Sequence, residues 1–219
     1  MVSNDFGSVE SGMVEVKVSD ALLNGLVGWW KFDETNGTVA YDSSGNGNDG
    51  NLTGGPTWAT GKIGGALSFD GVDDYVLTIK MIPISGIQPR TFVSWFKTQP
   101  DNGKMPIVSS GGPVPTDGKQ WGFRVDGNKI KIAVHGGYYL GSTTVNANEW
   151  TQIAAVLPNN ADNVNQVLLY FNSNLEIPSQ TTSRAINTSN SFLTIGSFNS
   201  HSQEFFKGLI DDVRIYERA

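Results

Sequence analysis

GLIDDVRIYERA, residues 208–219, is the most informative segment of the sequence because it places two adjacent carboxylates in a largely apolar terminal strand. Side chains alternate between the two faces of a strand, so a regular strand would direct Asp211 and Asp212 to opposite faces. Isolated ionised carboxylates are costly in such surroundings, so at least one should meet a cation or several backbone N–H groups. The segment leaves two candidates for that cation: a bound metal ion, or a basic side chain such as Arg214 or a lysine of a neighbouring strand.

Outward from that strand, the chain consists of short apolar segments bounded by Gly, Asn, Asp or Pro. They cover residues 27–32, 65–70, 75–79, 91–97, 107–110, 120–125, 129–135, 150–157, 166–171 and 192–198. The 26 glycines, 11 % aromatic residues and 16 % charged residues suit many strands joined by tight turns. No helix of ordinary length and no fixed repeat is present in the sequence pattern. The pattern predicts an all-β, two-sheet antiparallel sandwich.

Charge and composition exclude several classes of function. The net charge of -6 argues against nucleic acid as a partner, and no apolar run is long enough to predict membrane insertion. The absence of cysteine removes disulfides, thiol catalysis and thiolate metal sites. Residues 1–25 are predicted to be a linker or the tail of a preceding unit, and residues 26–219 one domain. We therefore expect the chain to be part of a larger multidomain protein.

One hairpin can be phased from the turn DGNK at 126–129, which pairs Val125 with Ile130. That pairing directs one set of side chains to the core: Trp121, Phe123, Val125, Ile130, Ile132 and Val134. The opposite face carries Gln120, Gly122, Arg124, Lys131, Ala133 and His135. This face is predicted to form a shallow depression with small residues as its floor and Arg124 opposite Lys131, a like-charge pair suited to an anionic or hydroxyl-rich ligand. The alternative is a solvated sheet face with two extended basic side chains.

Aromatic side chains complete the predicted ligand site. Tyr138 and Tyr139 follow in the segment HGGYYLGS, which we interpret as a loop that could lay a ring against a sugar. Trp121 and Trp150 are in phase with apolar neighbours and are predicted to lie in the core. Trp95 shares a face with Val93 and Lys97, which leaves both a core and a platform position open to it. The predicted ligand-binding residues are Gln120, Arg124, Lys131, His135, Tyr138 and Tyr139.

The loop DSSGNGNDG, residues 42–50, resembles the first half of a calcium loop. Asp42, Ser44 and Asn46 occupy alternating ligand positions, but the expected bidentate Glu is replaced by Thr53. Distant carboxylates would have to complete the site, and oxygen ligands favour calcium. The predicted metal ligands are Asp33, Asp42, Asn46, Asp211 and Asp212, with Glu34 a further donor. The alternative is a tight loop whose side chains cap its own backbone.

Six motifs in order now carry a family resemblance: WWKFDE (29–34), AYDSSGNGNDG (40–50), GKIGGALSFDGVDDYV (61–76), TFVSWFK (91–97), EWTQIAAV (149–156) and GLIDDVRIYERA. Together they resemble the laminin-G-like jelly-roll domains of the concanavalin A-like lectin/glucanase superfamily. The resemblance implies a jelly roll, frequently with a structural calcium ion, in modules of secreted or cell-surface bacterial proteins. It also implies that the loop at 42–47 and the IDD at 210–212 are signature segments, and it predicts an extracellular or cell-surface location.

Three classes of function remain. The glucanase branch of the superfamily cleaves glycosidic bonds with acidic residues alternating on one strand, a string that this sequence lacks. Adjacent pairs such as Asp73 and Asp74 are interpreted as turn residues, and no GxSxG motif is present. The sequence therefore predicts a non-catalytic module that binds a polysaccharide or other glycan. An adhesion or spacer domain contacting protein surfaces is the alternative, and a glycoside hydrolase or lyase is least favoured.

Overall fold

The structure, a computed structural model, describes residues 22–100, 103–111, 118–198 and 204–219. Strands form nearly all of its regular structure, together with a turn of 3₁₀ helix at Val164–Gln166. The strands are Leu26–Trp30 (β1), Val39–Ala40 (β2), Gly50–Thr53 (β3), Thr57–Thr60 (β4), Gly65–Asp70 (β5), Tyr75–Ile82 (β6), Arg90–Thr98 (β7), Lys104–Gly111 (β8), Gln120–Asp126 (β9), Lys129–Val134 (β10), Gly137–Thr144 (β11), Thr151–Leu157 (β12), Leu168–Phe171 (β13), Asn174–Leu175 (β14), Gln180–Thr182 (β15), Ser191–Ile195 (β16) and Lys207–Tyr216 (β17).

Two antiparallel sheets pack against each other as a jelly-roll sandwich, which confirms the predicted fold class. Sheet A has the order β14-β13-β12-β7-β17-β5-β4, and β1 pairs with the second half of β17. Sheet B has the order β15-β11-β10-β9-β8-β16-β6-β3-β2. Residues 1–21 lie outside the described part, so the division into a linker at 1–25 and a domain at 26–219 stays a prediction. Within the described ranges, no helix has the length and apolar character needed to cross a membrane.

The β9–β10 hairpin has the register that the turn predicts. Val125 pairs with Ile130, and Lys131 lies opposite Arg124. All six side chains assigned to the core are buried: Trp121, Phe123, Val125, Ile130, Ile132 and Val134. The alternation of apolar and polar residues was sufficient to predict the register and the buried face, because only one face of each strand is apolar.

Aromatic packing links the strands of sheet A to the segment that enters β17. Phe206 is fully buried, and its ring meets those of Phe69 and Phe96 edge to face, with centroids 6.1 and 6.3 Å apart. Edge-to-face contacts of this kind add attraction beyond the burial of apolar area. The Phe206 ring is therefore a packing centre between β5 and β7.

Strand β17 departs from regular alternation at its two aspartates. The register with β7 shifts between Asp211 and Arg214, and Asp212 has a φ of 50°. The bulge inserts one residue, so Ile210 and Val213 both face the core although three positions separate them. The prediction that Asp211 and Asp212 point to opposite faces is therefore wrong: the contacts of both carboxylates lie on the outer side of sheet A.

A buried arginine joins two loops at the start of β7. Arg90 has no exposed surface, and its guanidinium donates to the carbonyl oxygens of Gln88, Ser85 and Gly86 and to the Thr188 hydroxyl. Burial lowers the pKa of Arg90 to about 10. Neutral acceptors, rather than a carboxylate, thus satisfy this cation.

The segment HGGYYLGS is not a loop. Residues Gly137–Thr144 form β11, which pairs with β10 on one side and β15 on the other. Glycine and two adjacent tyrosines suggested a loop, but the strand is stabilised by pairing on both edges. Alternation along β11 then sends Tyr138 and Tyr139 to opposite faces of sheet B.

Candidate functional site

The outer face of sheet B carries five of the six predicted ligand-binding side chains. Gln120 and Arg124 lie on β9, Lys131 lies on β10, and His135 follows β10 in the same phase. Tyr138 lies opposite Ala133, and its ring is 4.1 Å from the Lys131 ammonium. We call these five residues the sheet B face.

Tyr139 does not belong to the sheet B face. It lies opposite Ile132 on the core side, is 2 % exposed, and donates its hydroxyl to the Glu176 carbonyl at 2.7 Å. Burial, with a contribution from the Glu176 charge, raises the pKa of Tyr139 to about 12. Its prediction as a ligand-binding residue is wrong because the segment is a strand.

The like charges of Arg124 and Lys131 are neutralised within the protein. Asp126 accepts from Arg124 Nη2 at 2.9 Å and lies 3.1 Å from Lys131 Nζ. Glu204 accepts from Arg124 Nη1 at 3.1 Å and contacts Lys104 at the same distance. The sheet B face is thus a network of cations and carboxylates that offers both hydrogen-bond donors and acceptors.

The predicted depression is partly filled. A Cβ at Gly122 would lie 2.5 Å from the Val108 carbonyl oxygen and 2.9 Å from the ring of Phe198. The Phe198 ring therefore occupies the space that the missing side chain leaves, and the Arg124 guanidinium lies 5.5 Å from its centroid.

Asp126→Asn tests the energetic role of this network. Burial raises the pKa of Asp126, but hydrogen bonds from Arg124 and Lys131 outweigh it and hold that pKa below the ordinary 3.8. A lowered pKa gives stability that is present above the ordinary value and is lost as the pH falls through the folded-state value. We expect the substitution to lower the free energy of unfolding by about 1 kcal/mol at neutral pH and to have little effect at about pH 2.

Urea unfolding at both pH values measures the Asp126→Asn difference. Asp162→Asn is the matched control, because Asp162 is exposed and its side chain has no salt bridge among the described residues. An equal loss of stability at neutral and acid pH would contradict the electrostatic explanation.

The loop at 42–50 uses its polar side chains to cap its own backbone. Asp42 Oδ1 accepts from the N–H groups of Trp29 and Ser44, and Asp42 Oδ2 accepts from the Ser44 hydroxyl and the Asn48 N–H. The Asn46 amide donates to the carbonyl oxygens of β1. The predicted metal ligands as a whole are not gathered at one point: among the described residues, no three of their carboxylates have oxygens within 4.8 Å of one another.

Asp212 is neutralised by a basic side chain. Its Oδ2 lies 2.9 Å from Arg214 Nη2, and its Oδ1 accepts from Arg214 Nε and the Trp29 indole N–H. The sequence left a metal ion or a basic side chain as the partner of these carboxylates, and for Asp212 the partner is the basic side chain of Arg214.

Asp211 lies beneath the β4–β5 turn. Its Oδ2 accepts from the N–H groups of Lys62 and Ile63 at 2.7 and 2.9 Å. The turn approaches so closely that a Cβ at Gly61 would lie 2.7 Å from this oxygen. Burial raises the pKa of Asp211 to about 6, although the two N–H groups oppose this rise, and the charges of Asp212 and Asp33 add to it. Asp211 is fully buried, and its Oδ1 has no hydrogen-bond partner in the described part of the chain.

Asp33 holds the other end of the same turn. Its Oδ1 accepts from the Gly65 N–H at 2.8 Å. The next residue, Glu34, accepts from the Tyr41 N–H through Oε1, while its buried Oε2 has no partner among the described residues. Both acidic residues line an open cleft of about 510 Å³, with Trp58 on its wall. Three of the predicted metal donors therefore keep a carboxylate oxygen that could bind a metal ion: Asp33, Glu34 and Asp211.

A second acidic group lies at the β5–β6 turn. Carboxylate oxygens of Asp70, Asp73 and Asp74 lie within 4.8 Å of one another. Asp74 accepts from the Asp70 N–H, and burial is the main cause of its raised pKa. The sequence interpretation of Asp73 and Asp74 as turn residues missed this convergence, because the contribution of Asp70 depends on the path of the turn.

Two tryptophans lie on the outer face of sheet A: Trp150, which was predicted to lie in the core, and Trp95, for which core and platform were both open. Trp95 alternates with the buried Phe96, and Trp150 directly precedes β12 in phase with the outward Gln152. Each is half-buried, with a lysine ammonium over its ring: Lys62 at 5.3 Å from Trp95 and Lys97 at 5.4 Å from Trp150. Trp121, in contrast, is fully buried as predicted.

Comparisons with solved structures find the same sandwich fold in other proteins. Domain 4 of AbnA, an extracellular arabinanase from Geobacillus stearothermophilus solved in complex with arabinotriose, aligns with a TM-score of 0.68 and 22% identity, over 89% of this chain and 93% of that domain. The binding domain of Paraclostridial Mosquitocidal Protein 1 aligns with a TM-score of 0.64 and 17% identity, over 90% of this chain and 50% of that one. A Trypanosoma rangeli sialidase aligns with a TM-score of 0.64 and 16% identity, over 89% of this chain but 30% of the sialidase.

The sequence comparison assigns the family. A laminin-G family profile of the concanavalin A-like lectin/glucanases superfamily matches residues 69–219, more than half of the chain. The chain therefore belongs to this superfamily, as its motifs predicted. Among curated protein sequences, none matches it significantly.

Proposed function

We propose that this chain is a non-catalytic module that binds a polysaccharide, in a secreted or cell-surface protein. The observation that carries the proposal is the convergence of Arg124, Lys131 and Tyr138 on one face of sheet B. The aligned arabinanase domain, which was solved with arabinotriose and matches over nearly its whole length, supports a glycan as the ligand class.

The chemistry of the sheet B face suits sugar hydroxyls, which both donate and accept hydrogen bonds. Arg124 and Lys131 supply donors, and Asp126 and Glu204 supply acceptors. The half-buried ring of Tyr138 adds apolar surface for the carbon face of a sugar. The network also fixes these groups before a ligand arrives, which limits the entropy lost on binding.

The same network supports a non-catalytic role. A glycosidase general acid needs a carboxyl group that stays protonated near neutral pH, and its pKa is raised for that purpose. Cations instead hold the pKa of Asp126 low, and Glu204 is engaged by Arg124 and Lys104. Neither carboxylate on this face has the environment of an acid catalyst.

Arg124→Ala and Tyr138→Ala test the proposed site. We expect each to weaken the binding of any polysaccharide bound at this face by about tenfold or more, because a charged donor or a ring is lost. Glycan arrays identify the ligand, and titration calorimetry measures its affinity. Tyr41→Ala is the matched control, because Tyr41 is an exposed tyrosine that does not belong to the sheet B face.

Unchanged affinity in both variants would show that the binding site does not lie on the sheet B face. Failure of the unaltered protein to bind any glycan would instead favour the adhesion or spacer alternative.

Calcium is the second part of the proposal. Asp33, Glu34 and Asp211 lie around the β4–β5 turn, and two of their buried oxygens lack partners in the described chain. Oxygen donors of this kind suit calcium, which would supply a positive charge where Asp33 and Asp211 repel each other. Bound there, the ion would hold the turn against β17.

Melting with calcium and with EGTA tests this site. A ligand that binds only the folded state raises its stability, by about 2.7 kcal/mol at one hundred times its dissociation constant. We expect calcium to raise the Tm of the unaltered protein, and Asp211→Asn and Asp33→Asn to abolish the rise. Asp73→Asn is the control; loss of the rise in this variant alone would place the ion at the β5–β6 turn.

A further inference from the structure

The outer face of sheet A carries three tryptophans that the sheet B site does not use, each with a lysine over its ring. We call the six residues the tryptophan face: Trp29, Trp95, Trp150, Lys31, Lys62 and Lys97. The three ammonium groups lie 4.3, 5.3 and 5.4 Å from the ring centroids, in that order. The Arg214 guanidinium also lies over the Trp29 ring, 4.6 Å from its centroid. Cation–ring contacts occur elsewhere in the molecule, but here three tryptophan–lysine pairs share one face of one sheet.

The strand register places these rings along a diagonal. Trp95 lies opposite Gln152, and Lys97 lies on the same face two residues further along β7. Trp150 therefore neighbours Trp95 on the next strand, at the diagonal separation of about 7–8 Å. On the other side, Trp29 pairs with Arg214 on β17, the strand that adjoins β7. The rings thus span four neighbouring strands.

The tryptophan face has uncompensated positive charge. Among the described residues, no carboxylate lies within salt-bridge distance of Lys31, Lys62 or Lys97. Neither carboxylate of β17 on this side pairs with these lysines: Asp211 accepts from backbone N–H groups of the β4–β5 turn through Oδ2, and Asp212 pairs with Arg214. A local excess of lysine on a chain of net charge -6 indicates an anionic partner.

We propose that the tryptophan face binds a strand of acidic polysaccharide. Carboxylate or sulfate groups would pair with the lysines held over the tryptophan rings, and sugar rings would lie against the tryptophan surface that the lysines leave uncovered. The inference rests on the proposed function in taking a glycan as the ligand, but it assigns a different surface and a charged ligand class. The rings of a single-stranded nucleic acid would find similar contacts, and the experiment separates the two.

Affinity measurements with four probes test the inference. Polygalacturonate carries carboxylates, heparin carries sulfates, neutral arabinan carries neither, and oligo-dT is the nucleic-acid probe. We expect both acidic glycans to bind more tightly than arabinan and oligo-dT, with an affinity that falls as salt screens the lysines. The stronger of the two acidic probes identifies the anionic group.

Two variants locate the binding. Lys62→Gln/Lys97→Gln keeps the side-chain stems at the surface and should weaken acidic-glycan binding about tenfold, the effect of two screened charge pairs together. Trp150→Ala should weaken it by a similar factor. Lys80→Gln/Lys129→Gln removes the same charge from sheet B and should leave the affinity unchanged.

Unaltered affinity for polygalacturonate and heparin in both sheet A variants would overturn the inference, as would equal binding of oligo-dT. So would failure of the unaltered protein to bind either acidic glycan. In each of these cases, neutral-glycan binding that depends on Arg124 and Tyr138 would still stand, so the inference can fail without the proposed function. The double lysine variant lies at the surface and tests the inference even if Trp150→Ala fails to fold.

Discussion

Phe206→Ala is expected to lower the free energy of unfolding by about 3–5 kcal/mol. The side chain is fully buried, and its removal leaves a cavity between β5 and β7 that the neighbouring strands cannot close. It also deletes the edge-to-face contacts with Phe69 and Phe96, each worth about 0.5–1.5 kcal/mol. Urea unfolding followed by tryptophan fluorescence measures the loss.

Phe206→Leu is the control for this prediction, because it retains most of the volume while removing the ring. We expect it to lose about half as much stability as Phe206→Ala. Equal losses would show that the ring contacts, rather than the cavity, dominate. A loss below about 1 kcal/mol for Phe206→Ala would show that Phe206 is not a packing centre.

Arg90→Met is expected to lower the free energy of unfolding by about 3 kcal/mol. Methionine retains the apolar stem of the side chain but leaves the Gln88 carbonyl oxygen without its side-chain donor. The carbonyl oxygens of Ser85 and Gly86 lose the guanidinium but keep backbone N–H donors. Each buried acceptor left unpaired costs about 1–3 kcal/mol, reduced where water can reach it. The bond to the Thr188 hydroxyl is lost as well, so the two loops are then held by the backbone hydrogen bonds between Gly86 and Thr188 without the support of a side chain.

Two control variants are measured in the same way: Arg90→Lys, which keeps the charge, and Lys80→Met, which makes a comparable change at an exposed position. Lysine keeps the charge but offers a compact ammonium in place of a planar fork, so it should recover only part of the stability. Lys80 is exposed, and Lys80→Met should change the free energy of unfolding by less than about 0.5 kcal/mol. Full stability in Arg90→Met would mean that loop packing, not hydrogen bonding, holds these segments.

The β9–β10 hairpin could be predicted from sequence because its strands have one apolar and one polar face. Strand β7 has no such contrast: Phe92 and Phe96 alternate with Val93 and Trp95, so either face could be taken as the core. The structure buries Ser94 with the phenylalanines and turns Trp95 outward. The tryptophan face was missed for this reason, since the choice of face depends on which sheet lies opposite.

The two aspartates of β17 show a different limit. Their burial and need for partners followed from the sequence, and one predicted partner, Arg214, is present. The prediction that they point to opposite faces is wrong, because the bulge depends on a positive φ at Asp212 that a pattern of residue types does not reveal. The contact of Asp211 with the turn at Lys62 joins positions 149 residues apart, beyond any local pattern.

The attachment of the β4–β5 turn to β17 also governs how its amide hydrogens exchange with water. Lys62 and Ile63 are exposed in a surface turn, where amides ordinarily exchange quickly. Their N–H groups, however, point down onto Asp211, a residue of a strand flanked by neighbours on both sides. Hydrogen exchange at these two amides then requires the β4–β5 turn to separate from sheet A. The exchange rate of Lys62 and Ile63 therefore reports how often the turn opens away from β17.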